Sequence, residues 1–300
     1  MRIALLGDLG GWHVGRLAAA LADRGHEVAV IRWSELTADL DAGGCRFGPP
    51  GIDAAEAIVV RGMPGIAAAS DRLEEVIFRM DALGRLAARG VPVINSPRAL
   101  EIAIDKYLSL ALLAEQGIPV PRTRVVQDAA GAVRAWEDLG RDCIAKPIFG
   151  SRGRGLVRLA SAADAGEIVP MAGRVAYLQE FIPHAGWDVR ILVVGDRVFS
   201  MKRLASAGDW RTNVSQGGRP EAFEPPREWI DLAVRSAAVV GAAIAGVDLI
   251  PTRDGRLVVL EVNAVPGWRG LQTVESRDLA AEIASAIEQA ARGRPGGSAT

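Results

Sequence analysis

The chain has 300 residues, 49% of them hydrophobic and 24% charged, with a formal net charge of -1. That length and apolar content suit two or three compact lobes with real cores and exclude a disordered chain, while the near-neutral balance excludes a broad basic surface for nucleic acid. Two cysteines far apart, Cys45 and Cys143, give neither a disulfide framework nor zinc spacing, which fits a reducing, cytoplasmic setting; the apolar run at the N-terminus is too short for a signal peptide or membrane span.

Arg2 to Leu6 reads as a buried strand, followed by the glycine-rich turn GDLGGWHVG. Val14 to Arg24 has helical periodicity, Gly25 ends it, and Glu27 to Arg32 forms a second strand, so the chain opens as a βαβ unit. Ala57 to Arg61 is a further strand, Leu73 to Arg89 a helix stopped by Gly90, and VPVIN another strand. Residues 1–95 therefore read as a small parallel α/β lobe. The first turn can cradle an anion at a helix start or serve only as a tight strand-to-helix connection.

Residues 96–182 read as a second, mixed α+β lobe. Ser96 is the expected N-cap with Pro97 at the first helical position. The helix runs to about Gln116 with a break near residues 104–106, and Gly117 and Pro119 stop it. Four strands follow (Thr123 to Gln127, Cys143 to Pro147, Gly155 to Leu159 and Ala176 to Glu180), with helices over Ala129 to Leu139 and Ala162 to Val169. Residues 183–292 form a third lobe. It carries two alternating strands, the polar loop AGDWRTNVSQGGRP, a helix from Arg227 to Ala245, a hairpin turning at Asp254–Gly255, and a last helix from Arg277 to Arg292. Residues 293–300 read as a disordered tail.

The stretch AKPIFGSRGRG places a lysine ahead of three closely spaced glycines. In a P-loop the lysine follows the glycines, and the dinucleotide fingerprint needs a different spacing, so neither motif applies. Lys146 ends a strand, where its charge can reach a phosphate that glycine backbone amides approach closely. An exposed lysine before a flexible hairpin is the competing reading. In the hairpin VDLIPTRDGRLVVLEVN, Glu261 and Asn263 share a face, and the turn places Asp248 near Glu261 across the ladder. Two carboxylates and an amide oxygen on one face suit Mg²⁺ or Mn²⁺, which takes one or two carboxylates plus substrate phosphates; a solvated sheet face is the alternative. Asp188 and Arg190 share a face at spacing two, and with Lys202, Arg203 and Arg211 they form a dense polar set able to clamp carboxylates or phosphates, or simply to pair on the surface. The segment from Glu180 through Ile182 to Pro183 can line a base or act as an interdomain hinge. Trp210 and Trp268 lie in polar loops, where they can stack on a ligand or pack.

Taken in order, DKYLSLALLAEQGIPVP, AKPIFGSRGRGLV, YLQEFI, WDVRILVVGDRV, GDWRTNVSQGG, GVDLI and LEVNAVPG resemble the ATP-grasp superfamily, most closely its RimK-type branch of carboxylate–amine ligases, over about residues 90–290. The resemblance implies an α/β and α+β ATP-grasp fold of three lobes, with nucleotide held between the central and C-terminal lobes. It implies that Lys106 and Lys146 contact ATP phosphates under a loop that includes Gly150, Ser151, Gly153 and Gly155. Glu180, Phe181 and Ile182 would meet the adenine, with Asp188 near the ribose. Asp248, Glu261 and Asn263 would hold Mg²⁺ or Mn²⁺, with two ions expected. Arg190, Arg203, Arg211, Thr212 and Asn213 would face the transferred phosphate and the carboxylate substrate, with residues 216–218 closing over the acceptor side.

The implied reaction joins an amino acid, L-glutamate or a relative, to an acceptor through an acyl phosphate. The stretch NAVPGWRGLQ, with Trp268 and Arg269, looks closer to branches that glutamylate a small cofactor such as tetrahydromethanopterin than to those that modify a ribosomal or carrier protein. A non-catalytic ATP-binding module and an ATP-grasp kinase are the readings from other classes. The expected partners are small molecules, with no nucleic acid and no membrane; relatives often form homo-oligomers.

Overall fold

The computed structural model describes residues 1–62, 73–149, 155–171 and 175–292. The opening run is buried from Ile3 to Leu6, as a strand covered on both faces must be. β1 (Arg2–Leu6), α1 (Trp12–Asp23), β2 (Glu27–Ile31), β5 (Ala57–Val60), α3 (Leu73–Ala88) and β6 (Val93–Ile94) build a parallel sheet in the order β2-β1-β5-β6. Between β2 and β5 the chain makes a hairpin, β3 (Thr37–Asp41) and β4 (Gly44–Gly48), and a single helical turn, α2 (Pro50–Asp53). Sequence periodicity marks no elements here, because short exposed strands give a weak period-two signal.

α4 (Pro97–Ile104) begins at Ser96, whose hydroxyl accepts from the Ala99 N–H. The expected break near residues 104–106 is real, and Asp105 makes it. Its carboxylate accepts from the Tyr107 and Leu108 N–H groups and so starts α5 (Lys106–Glu115), which places Lys106 on the first helical position.

The central sheet comprises β7 (Thr123–Val126), β8 (Cys143–Lys146), β9 (Val157–Leu159) and β10 (Ala176–Glu180), antiparallel in the order β7-β10-β8-β9. It is backed by α6 (Ala129–Asp138) and α7 (Ala162–Met171). The third sheet has the order β13-β12-β11-β14-β15, from β11 (Trp187–Val194), β12 (Arg197–Leu204), β13 (Arg219–Ala222), β14 (Ile244–Pro251) and β15 (Leu257–Asn263), with α8 (Arg227–Val240), α9 (Arg269–Gln272) and α10 (Leu279–Arg292). The helix expected over 227–245 stops at Val240. Gly241, at φ 74°, caps it, and Ile244 and Ala245 open β14 instead. The Ala-rich run reads equally well as helix or buried strand, so only the left-handed glycine divides it.

Packing redraws the lobes. Leu100, Ile102, Leu110 and Leu113 of α4 and α5 share one core with Ala237 of α8, Val247 of β14 and Val259 of β15. These helices, assigned from sequence to the central lobe, pack on the third sheet. A second core joins Ile3, Leu17 and Leu21 to Val194, Ile283 and Ile287, tying the N-terminal sheet to β11 and α10. The central sheet has its own core, around Trp136, Leu139, Cys143, Leu159 and Leu178. The cleft therefore lies where the one separately packed lobe meets the fused remainder. Among the described residues, no helix is long and apolar enough to cross a membrane.

Candidate active site

β8 and β10 run side by side, with Lys146 opposite Tyr177 and Ile144 opposite Gln179. Lys146 is the last residue of β8, and its side chain lies over its own sheet, where Nζ donates to Gln179 Oε1 on the neighbouring β10 at 2.5 Å. Gln179 is buried, and its amide N–H donates to Thr123 Oγ1 and to the Tyr177 hydroxyl. Burial pushes the Lys146 ammonium down to about 8; Lys106 lowers it further, while Glu261 and Asp248 pull it up. All four groups thus share one field. Burial likewise raises the Tyr177 hydroxyl to about 12.

Beyond Lys146, Gly150, Ser151 and Gly153 of the proposed phosphate loop lie outside the described residues, as does the 293–300 tail. Gly155 is described. At φ 71° it folds back until a Cβ there would sit 3.4 Å from Pro147, so the far end of the loop returns to the lysine. It is the positive φ at this exposed position, not lack of space, that favours glycine.

The opposite wall is the third sheet. Asp248 pairs with Glu261 in the β14–β15 register and with Arg190 in the β11–β14 register, and Asp188 pairs with Arg203 between β11 and β12. Arg190 forks onto the Asp248 carboxylate through Nε and Nη2. Arg203 forks onto Asp188 and also reaches Asp248 Oδ2 at 3.0 Å. Thr212 Oγ1 donates to Asp188 Oδ2 at 2.7 Å. Burial alone would raise the Asp248 pKa, but Arg190 and Arg203 hold it below the usual carboxylate range. Burial likewise opposes charge on Arg203, and the two carboxylates hold its pKa above the ordinary value.

Glu261 stands apart. It lines the cleft, and among the described residues no hydrogen bond or ion pair holds its carboxylate. Asn263 sits two register positions on, opposite Gly246 and away from the cleft lining, and its amide oxygen accepts from the Val265 N–H.

The remaining lining is apolar and aromatic. Ile144, Leu156, Phe181, Ile182, Trp210, Ile250 and Leu260 enclose it, with His184, Thr212 and Asn213 at its edge. Ile182, Ile250 and Val258 form their own small cluster with Leu260 beside them. The Phe181 ring carries the Arg158 guanidinium at 3.8 Å on its face and meets Trp210 edge-on at 5.8 Å. Glu180 turns its carboxylate to Arg122, through the backbone N–H and Nε, and its N–H and that of Phe181 are taken by Arg122 O and Asp142 O. Arg211 pairs with Asp209 at the rim.

The cleft thus gathers Lys106, Lys146, Glu180, Phe181, Ile182, Asp188, Arg203, Arg211, Thr212, Asn213, Asp248 and Glu261 into one lining, whereas Arg190, Gly155 and Asn263 stand behind or beside it. Sequence reasoning missed Tyr177 and Gln179. Their period-two spacing with Phe181, just past the end of β10, was available, but their pairing with β8 was not.

The described residues include no group of three His, Cys, Asp or Glu able to hold a metal. The donor set is two carboxylates, one of them saturated by arginine. That fits Mg²⁺ or Mn²⁺ completing its shell with substrate phosphate oxygens and water, and does not fit an all-protein cage.

Residues 103–287 match the RimK-like ATP-grasp domain. The chain is 35% identical over 221 residues to the tetrahydromethanopterin:alpha-L-glutamate ligase of Methanocaldococcus jannaschii, covering 71% of this chain and 75% of that protein. It is 32% identical to a probable alpha-L-glutamate ligase of Hydrogenovibrio crunogenus over 97% of each chain. In structure it resembles the ATP-grasp ligase PsnB complexed with its minimal precursor, with a TM-score of 0.76, 29% identity, and coverage of 97% and 99% of the two chains. PsnB is also known complexed with Mg and ADP.

Proposed function

The chain belongs to the RimK-like ATP-grasp family, and from that premise we propose that it is an ATP-dependent, ADP-forming ligase joining L-glutamate to a small-molecule acceptor, a pterin-type cofactor. The observation that carries the ligase reading is the cleft itself: Lys106 and Lys146, a Glu261 with no hydrogen bond or ion pair among the described residues beside an arginine-held Asp248, and an apolar slot, all in one lining. Lysines there neutralise phosphate charge, and a carboxylate with no partner among the described residues is available to a cation. When bound, ATP with its metal supplies the phosphoryl group that activates a carboxylate.

The protein's own residues position and neutralise. The apolar slot around Ile182, Ile250 and Leu260 takes the base, and the Ile182 N–H, which has no hydrogen bond among the described residues, is available to it. Lys106 and Lys146 take the phosphates; Glu261, with Asp248 and Asn263 behind it, holds the cation. Arg203 and Arg190 fix Asp248 rigidly, so their part is to position, while Arg211 at the rim is placed to meet an incoming anion. The substrate carboxylate accepts the γ-phosphoryl group, giving an acyl phosphate and ADP. An amine then adds to the acyl carbon, phosphate leaves, and the amine's proton departs with it or to solvent.

The pterin reading rests on likeness to ligases named for tetrahydromethanopterin. A peptide acceptor is the second reading, favoured by the full-length structural likeness to PsnB with its precursor. Incubation with ATP, Mg²⁺, L-glutamate and either a small-molecule extract or a peptide fraction separates them. A small molecule gaining one glutamyl mass with ADP release supports the first. A modified peptide or protein supports the second, and binding of ATP without ADP formation in either fraction overturns the ligase reading.

A further inference from the structure

Only two buried side-chain polar atoms lack a hydrogen-bond partner among the described residues, Arg61 Nε and Trp268 Nε1. They belong to one contact: the Arg61 guanidinium lies over the Trp268 ring, 4.5 Å from its centroid. Both are donors. Orphaned buried donors are rare enough in folded proteins that each calls for a partner.

Arg61 follows β5, at the C-terminal edge of the N-terminal parallel sheet, and Trp268 precedes α9 on the loop that leaves β15. Arg61 Nη2 donates to Pro266 O at 2.9 Å. No acidic side chain pairs with it among the described residues, and burial pulls its guanidinium down to about 9, still charged at neutral pH. His13, at the start of α1, accepts from the Trp268 and Arg269 N–H groups and meets the Trp268 ring edge-on at 4.6 Å. Arg269 is exposed beside it, its guanidinium 5.9 Å from the Trp12 ring centroid. The nearby Asp8 is turned onto the Gly10 N–H. Two arginines thus converge from different lobes, with no anionic side chain paired between them among the described residues.

This place adjoins the nucleotide cleft. A Cβ on Gly246 would touch both Arg190 Nη1 at 2.7 Å and Pro266 Cβ at 2.9 Å; Arg190 leads to Asp248 in the cleft and Pro266 to Arg61. On the other flank, Gly270 packs on Val214, next to the cleft residue Asn213. An α-amino acid that offers its amine to an acyl phosphate keeps at least one carboxylate that must not itself be phosphorylated. A cation held apart from the phosphate-binding lysines, yet one loop away, meets that need.

We propose that Arg61, braced on Trp268 and flanked by Arg269, anchors a non-reacting carboxylate of the amine-donating amino acid. The proposal rests on the ligase reading above. Arg61 and Arg269 set specificity for an acidic α-amino acid, and His13 positions the Trp268–Arg269 backbone that carries the site.

The test uses the full-length protein with Mg²⁺ and a non-hydrolysable ATP analogue, and measures by calorimetry the binding of L-glutamate and of its dimethyl ester, which keeps the amine but has no carboxylate. The parent should bind L-glutamate well above the ester. Arg61→Met should lose L-glutamate by about 10- to 100-fold, the range expected for a charge-assisted fork, leave the ester and the ATP analogue unchanged, and recover partially as Arg61→Lys. Equal loss of L-glutamate and ester would make Arg61 structural and overturn the proposal, as would no loss at all; in both cases the ligase reading stands if the parent still forms glutamylated product. A parent that neither binds L-glutamate nor releases ADP with it removes the ligase reading, and this proposal with it.

Discussion

Asp248 and Glu261 face each other across the β14–β15 ladder, yet they are held in opposite ways. Asp248 is buried and gripped by Arg190 and Arg203, whereas Glu261 has neither ion pair nor hydrogen bond among the described residues. One carboxylate is part of the scaffold and the other is available for chemistry.

The two should therefore respond differently to isosteric neutralisation. Glu261→Gln should leave urea unfolding nearly unchanged and lower ADP formation by about 100- to 1,000-fold, as loss of a group aimed at transferring charge does. Asp248→Asn takes the carboxylate from Arg190 and leaves Arg203 only Asp188, and should cost about 3–5 kcal/mol of stability. Comparable destabilisation of both variants would remove the cation-binding role from Glu261.

Lys146 gives a pH signature. Its folded pKa is about 8 against an ordinary 10.5. Between those values the unfolded chain holds a proton that the folded protein has lost, so this group's contribution to stability rises with pH across that window and its penalty is full below pH 8. Nucleotide affinity should move the other way, falling as pH rises through about 8 because the neutral amine no longer meets phosphate charge. Titration calorimetry with ADP and Mg²⁺ from pH 6.5 to 9.5 would read it, and Lys146→Arg, charged throughout, should flatten the curve. An unchanged slope in that variant would assign the pH dependence elsewhere.

Gln179 is the residue that aims Lys146. Gln179→Leu removes its acceptor while leaving the Thr123 and Tyr177 hydroxyls without their amide donor, at a cost of about 1–3 kcal/mol. The KM for ATP should rise more than kcat falls, because the lysine is misplaced rather than lost. Steady-state kinetics showing a pure kcat loss would contradict this positioning role.

Asn95 fastens the N-terminal sheet to the third. Its amide donates to Ile244 O at 2.7 Å and Ala264 O at 2.6 Å, and its oxygen accepts from the Ile244 N–H at 3.0 Å. Asn95→Ala leaves three buried backbone groups unpaired, each worth about 1–3 kcal/mol. A large fall in melting temperature should follow, with ATP affinity retained well below it; a melt within a degree or two of the parent would mean that water replaces the amide.

The sequence by itself determined the order and kind of most elements, because a buried strand, an amphipathic helix and a capping residue each leave a local periodic mark. Ser96 and the break at Asp105 were legible for that reason, as was the approach of Asp248 to Glu261 around the Asp-Gly turn. Where the local mark was ambiguous, reading failed: the Ala-rich run after Arg227 stops at Gly241, and the β3–β4 hairpin carried no clear alternation. Pairing between distant strands leaves no local mark at all. Only the tertiary structure set Gln179 against Lys146 and tied Asp248 to Arg190 and Arg203. It also moved α4 and α5 onto the third sheet and brought Arg61 to Trp268 from the far side of the chain. Such contacts are fixed by which apolar faces must be buried together, a property of the whole fold that no window of residues contains.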